Sequence, residues 1–338
     1  MKKLLAVTLM IFALFSARTS WCAANHSGAV TLEVDLGAQP KGKEARLWVP
    51  YPLSDANQKI SDVKVSGDYA NSGYYADRIN GTPILYAEWP KEATSRKLTL
   101  SFRAERTEIA QRDLPQSELA WSRADYAEFL KPTSLAPLDG DLKKLADTIT
   151  AGKLTNLAKA RSIYDWTVEN MYRDPATVGC GKGDVCELLK RPGGKCTDIS
   201  SVFIALCRAA GVPAREVFSI RLGKKAEEDI TGYQHCWAEF FVPGYGWVTA
   251  DPADVRKAML VEKLGLEHPK TAEYRRYFWG GIDPYRVVIA RGRDLQLEPR
   301  QAGKPLNTFG YPYAEVGGEP LDFYNPKSFT YRYTYREK

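Results

Sequence analysis

Histidine is scarce in this chain, with three among 338 residues. Metal-ligand spacing is scarce too: Cys180 and Cys186 could form one ligand pair, but no second pair of the usual spacing follows. The N-terminal apolar run, Leu4 to Phe15, falls short of the roughly 20 residues that a bilayer span requires. An excess of one charge is also missing. The formal net charge is +6, and residues 1–24 carry Lys2, Lys3 and Arg18 with no acid, which leaves +3 without them. Such a balance argues against nucleic acid or an anionic membrane surface as partner. There is no internal repeat and no low-complexity tract, and residues 30–109 contain neither histidine nor cysteine.

What is present begins with a segment of export type. Lys2 and Lys3 precede the apolar run, and Cys22-Ala23-Ala24 offers small residues for cleavage before Asn25. Trp21 is bulky where a lipid-anchor signal calls for a small residue, so ordinary cleavage is expected. The destination is then the periplasm or the cell exterior, with no integral membrane span in the mature chain. From about Val30 to Ile109, short β-type runs (30–34, 45–49, 84–87 and 97–102) alternate with turn signals such as Asn80-Gly81. This pattern predicts an all-β sandwich over 25–113.

Beyond Pro115 the period changes. Leu142, Leu145, Ala146 and Ile149 recur at helical spacing, as do Ala160, Ile163, Tyr164, Trp166, Thr167 and Met171. Pro192, Gly193 and Gly194 then break the chain before a third helical stripe of Ile199, Val202, Phe203, Leu206 and Ala210, which Gly211 and Pro213 end. Cys196 therefore stands at a helix start, where unpaired amides and the positive end of the dipole favour a thiolate. Residues 214–220 and 234–242 read as strands, and Pro243-Gly244-Tyr245-Gly246 turns into a third over 247–251. If the last two form a hairpin, His235 falls within a residue or two of the position facing Asp251. Residues 114–260 then make one core. Residues 261–338 make an extension whose strands, one with Phe329, Tyr331, Tyr333 and Tyr335 on a single face, are expected to pack on it.

Five cysteines remain after cleavage, an odd number that leaves one thiol free in an oxidising compartment. Cys196 and Cys207 are roughly 16 Å apart along one helix, too far for a disulfide. Cys180 and Cys186 bracket the loop Gly181-Lys182-Gly183-Asp184-Val185, and a disulfide is expected there. Cys236 points away from His235 by strand alternation and is expected to be structural.

A thiolate, a base that returns its proton to the leaving group, and an acceptor that orients the base make up a nucleophilic thiol site. Cys196, His235 and Asp251 supply these three in order. Gly194-Lys195-Cys196-Thr197-Asp198, Ala209-Ala210-Gly211-Val212-Pro213-Ala214-Arg215, His235-Cys236-Trp237-Ala238-Glu239 and Asp251-Pro252 together resemble the transglutaminase-like superfamily, in particular its exported bacterial members. The resemblance covers about residues 155–255. It implies an α+β, papain-like core, with the helix of the nucleophilic cysteine packed on an antiparallel sheet after the β-sandwich. It also implies Cys196 as nucleophile, His235 as base and Asp251 as the orienting acid. Animal transglutaminases carry Gly-Gln-Cys-Trp around the cysteine. Lys195 and Thr197 depart from that pattern and weaken protein cross-linking as the reaction.

The expected chemistry is attack on an amide carbonyl through a thioester, with a protein or peptide as substrate and with neither cofactor nor metal. Three readings stay open: a peptidase or amidohydrolase, an acyltransferase joining glutamine to amines, and a non-catalytic binding module. The Cys196 amide would be one oxyanion donor and Tyr172 the second. Trp237 would wall the cleft and contact substrate, or simply pack. Asp198 is expected to be structural, and Glu239 to pair with Arg215.

Overall fold

The computed structural model describes residues 23–327 and 329–337. The signal segment 1–24 thus lies almost wholly outside the described residues. The β-type runs form strands β1 (Asn25–Asp35), β2 (Ala45–Pro50), β3 (Gln58–Gly67), β4 (Asn71–Ala76), β5 (Pro83–Trp89) and β6 (Lys97–Thr107). Alternation explains their orientation: Val30, Leu32 and Val34 of β1 and Leu98, Leu100 and Phe102 of β6 are buried, and they share a core with Leu47, Val49 and Leu85. β3 and β4 carry no clean apolar alternation because they are edge strands with largely solvated faces.

The C-terminal extension divides between the two halves of the molecule. Only Arg286–Arg291 joins the core sheet, beside Ala214–Arg221. Tyr313–Val316 pairs with β2 and Thr330–Arg336 with β1, so these strands complete two five-stranded sheets of the sandwich. The expectation that they pack on the core is corrected. Alternation along 329–335 identifies an apolar face but not its partner, and the register sets Tyr333 against Leu32 and Tyr335 against Val30. The chain thereby returns from the core to where it began.

The core is built on helix α4 (Cys196–Ala209), buried on nearly every side. Around it lie α1 (Gly140–Ile149), α2 (Asn156–Asn170), α3 (Val185–Lys190) and α5 (Pro252–Glu262), with the antiparallel sheet below. The sheet order is Gly246–Ala250, Gln234–Val242, Ala214–Arg221, Arg286–Arg291. A helix that is apolar all round belongs in a core. Truncating one of its side chains, as in Leu206→Ala, costs about 2–5 kcal/mol. This packing fixes the start of α4 against the sheet. Arg215 faces Glu239 across two strands, and its Nε donates to Glu239 Oε2 at 2.7 Å, as expected.

Candidate active site

The turn into α4 is shaped by glycine. A Cβ on Gly194 would lie 2.4 Å from the Asp198 Cβ, and one on Gly181 would lie 1.9 Å from its carboxylate. Gly181 also has a φ of +95°, which favours glycine. The space so cleared lets Asp198 accept the amides of Lys182 (3.0 Å), Gly183 (2.8 Å) and Lys195 (3.1 Å). Asp198 therefore ties the 180–183 loop to the helix start, the structural part expected of it. Cys196 is left buried in the first turn, where a backbone amide has no intrahelical acceptor.

Cys196, His235 and Asp251 come together here. Pairing of Ala238 with Ala250 puts Asp251 two positions from the residue facing His235, on the same side of the sheet. His235 Nε2 lies 2.7 Å from Asp251 Oδ2, and the imidazole lines the same cleft as Cys196 and helps to lower its thiol pKa. The other oxygen of Asp251 accepts the Asp254 amide at 2.9 Å, with Pro252 at the first helical position. The Asp-Pro step thus caps α5 while its acid holds the imidazole.

Behind these residues lies a buried ion cluster that sequence reasoning missed. Arg286, fully buried, bonds Asp251, Asp254 (2.6 Å) and Asp283 (2.7 Å). Arg221 grips both oxygens of Asp254 at 2.8 and 2.6 Å. Burial would raise the Asp254 carboxyl, but Arg221, His235 and Arg286 outweigh it and hold it well below its usual range. The three carboxylates in turn hold the Arg286 charge against burial. Burial lowers the His235 pKa and Asp254 raises it. Arg221 and Arg286 pull it down and Asp251 up, with a net rise. His235, Asp251 and Asp254 also bring ligand-type atoms within 4.8 Å of one another. Two guanidinium groups already occupy the carboxylate oxygens, so this donor set does not fit a metal.

Two further thiols surround Cys196. Cys180 and Cys236, ahead of the opposing effect of burial, hold the Cys196 thiol well below its ordinary value, and His235 adds to this. The Cys180 thiol is pushed up by the neighbouring Cys196 and by burial, and the Cys236 thiol by burial and then by Cys196. Both therefore stay protonated, and Cys180 Sγ donates to the Gln234 carbonyl at 3.6 Å. Tyr311 donates to Cys180 Sγ at 3.0 Å, and Thr197 Oγ1 lies 3.3 Å from Cys236 Sγ. The expected Cys180–Cys186 disulfide is absent. Cys180 faces inward to the nucleophile, while Cys186 sits exposed on α3. Short spacing around a glycine loop allowed a bridge, but the loop turns the two side chains apart. Cys236 is likewise no inert strand residue, since the face opposite His235 looks onto the start of α4.

Tyr172 and Trp237 are corrected as well. Tyr172 pairs with Gly193, is 47% exposed, and covers that glycine, with its ring atoms 2.4–2.6 Å from where a Cβ would sit. It does not line the cleft, whereas the next residue, Arg173, does. Trp237 shares the His235 face, as expected, but is fully buried with Val217, Ile282 and Val288. Its ring backs His235 at 6.5 Å and Arg286 at 5.9 Å instead of meeting substrate. The cleft itself measures about 800 Å³. Cys196, His235 and Gln234 line it together with Tyr311, Phe323 and Tyr331 of the extension.

Residues 143–252 match the profile of the transglutaminase-like superfamily. A protein of Haemophilus influenzae described as uncharacterized is 37% identical, over 98% of this chain and 99% of its own length. The chain belongs to the transglutaminase-like superfamily. A crystal structure from Cytophaga hutchinsonii, of a protein described as a candidate cysteine protease, superposes with a TM-score of 0.52. It is 17% identical and covers 93% of this chain and 100% of its own, a likeness of fold alone. The periplasmic domain of TgpA from Pseudomonas aeruginosa matches with a TM-score of 0.37 and 14% identity, over 71% of this chain and 92% of its own. The family match and the Cytophaga structure show an α+β transglutaminase-like fold. Among the described residues no helix is long and apolar enough to cross a membrane.

Proposed function

We propose that this protein is an exported cysteine-dependent hydrolase of amide bonds in peptides or proteins, acting through a thioester on Cys196. The observation that carries this reading is the opening of Cys196 and His235 into one cleft, with Asp251 Oδ2 2.7 Å from the imidazole Nε2. The Cys196 thiolate attacks the amide carbonyl, and the His235 imidazolium passes its proton to the departing nitrogen. The amine leaves and a thioester remains. His235, now neutral, takes a proton from water as the hydroxide adds. Collapse releases the acid and restores the thiolate and imidazolium.

Charge developing on the carbonyl oxygen meets the Cys196 amide. For the second donor we assign Gln234 in place of Tyr172. Its Nε2 is buried without a protein hydrogen-bond partner, and the residue lines the cleft beside His235. Export follows from the basic and apolar N-terminal segment.

The test is incubation with a panel of peptide amides, with and without an added primary amine, read by mass spectrometry. Hydrolysis yields acid products whether or not amine is present. Products carrying the added amine would replace this reading with acyl transfer. No Cys196-dependent turnover on any amide would leave a binding module.

A further inference from the structure

The cleft is lined by five basic side chains, Arg173, Lys195, Arg221, Lys224 and Lys257, against two acidic ones, Glu228 and Asp283. Both acids are engaged: Asp283 by Arg286 at 2.7 Å, Glu228 by the Tyr233 hydroxyl at 2.7 Å and the Lys224 amide at 2.8 Å. Arg221 is spent on Asp254, and Lys224 lies 5.1 Å over the Tyr285 ring. Arg173, Lys195 and Lys257 remain, and among the described residues none of these three has a carboxylate within ion-pair distance.

Their placement is specific. Arg173 pairs with Gly194, two residues before the nucleophile, and its charge acts on the Cys180 thiol. Lys195 adjoins Cys196 directly. Lys257 stands one turn along α5 from Asp254. Burial pulls its ammonium below the usual value; Arg221, Arg173 and Arg286 add to this, with Asp254 opposing. Unpaired like charges crowded into a half-buried cleft repel one another and are costly until an anion enters. The rest of the lining is rich in aromatic side chains.

We propose that Arg173, Lys195 and Lys257 form a subsite for a carboxylate carried by the substrate close to the scissile amide. The substrate class is then an acidic peptide, with its apolar parts against Tyr311, Phe323 and Tyr331. This rests on the hydrolase reading above, because it takes the bond beside Cys196 as the one cleaved.

The experiment needs no known substrate. Cys196 is alkylated with anionic iodoacetate and, separately, with neutral iodoacetamide, and each rate is read by mass mapping. The iodoacetate to iodoacetamide ratio at Cys196 should fall about fivefold or more in Arg173→Gln and in Lys257→Gln. It should recover in Lys257→Arg and fall with added salt in the wild type. N-acetylglutamate should protect Cys196 where N-acetylglutamine does not. A ratio unmoved by both glutamine variants overturns the subsite and leaves the hydrolase reading standing. Protection by inorganic phosphate but not by N-acetylglutamate overturns the carboxylate assignment. A Cys196 no more reactive than the buried Cys207 toward either reagent removes the hydrolase reading, and the subsite with it.

Discussion

Asp251 holds His235 through Nε2 at 2.7 Å, which leaves Nδ1 as the imidazole nitrogen for proton transfer in the proposed reaction. The same carboxylate caps α5 through its other oxygen. Orientation of the base and the start of a helix thus depend on one side chain.

Asp251→Asn separates these parts, because asparagine caps a helix about as well as aspartate but does not favour the imidazolium or its tautomer. Turnover should fall by about 10²–10⁴-fold while the circular dichroism of the fold is retained. An activity within about threefold of the wild type would remove Asp251 from the mechanism.

Gln234→Ala should lower kcat by about 10–10³-fold with little change in KM, as expected for a donor that acts on the transition state. Gln234→Glu should do no better, since a carboxylate would repel the developing oxyanion. A loss confined to KM would make Gln234 a binding residue instead.

The buried cluster makes a stability prediction. The depressed Asp254 carboxyl contributes stability that is present above its unfolded value of about 3.9 and lost as pH falls through the lower folded value. Arg286→Met removes a fully buried cation from three carboxylates. It should cost about 3–5 kcal/mol at neutral pH and move acid unfolding to higher pH. Urea titrations at pH 7 and at a series of pH values below the unfolded value of about 3.9 measure both effects.

Cys180→Ala removes the leading influence that lowers the Cys196 thiol. Its alkylation midpoint should move to higher pH, and Cys236→Ala should move it the same way. A midpoint unchanged in both would assign the thiolate to the helix and His235 alone.

Much of this site can be read in the sequence where local pattern decides geometry. The Pro-Gly-Gly break and the stripe from Ile199 to Leu206 place Cys196 at a helix start. The tight connection at 243–246 carries Asp251 back beside His235. Residues that depend on distant pairing cannot be read in this way. Arg286 lies 35 residues from Asp251 and looks like the first residue of an ordinary strand. Cys180 stands in a loop, where no periodicity tells inward from outward. Tyr172 misses the cleft by a single alternation, and Arg173 takes its place. The aromatic run at 329–335 reads as a packed strand, but not as one that closes the sandwich from the far end of the chain.

The central claim is that Cys196 rests as a thiolate beside a protonated His235. Its most direct test is the alkylation rate of Cys196 against pH in the wild type and in His235→Ala, with Cys207 as the buried reference. The account predicts a Cys196 midpoint well below the free-thiol value of about 8.5, raised in His235→Ala, with Cys207 unreactive throughout. A Cys196 midpoint at or above the free-thiol value, unmoved by His235→Ala, would contradict it.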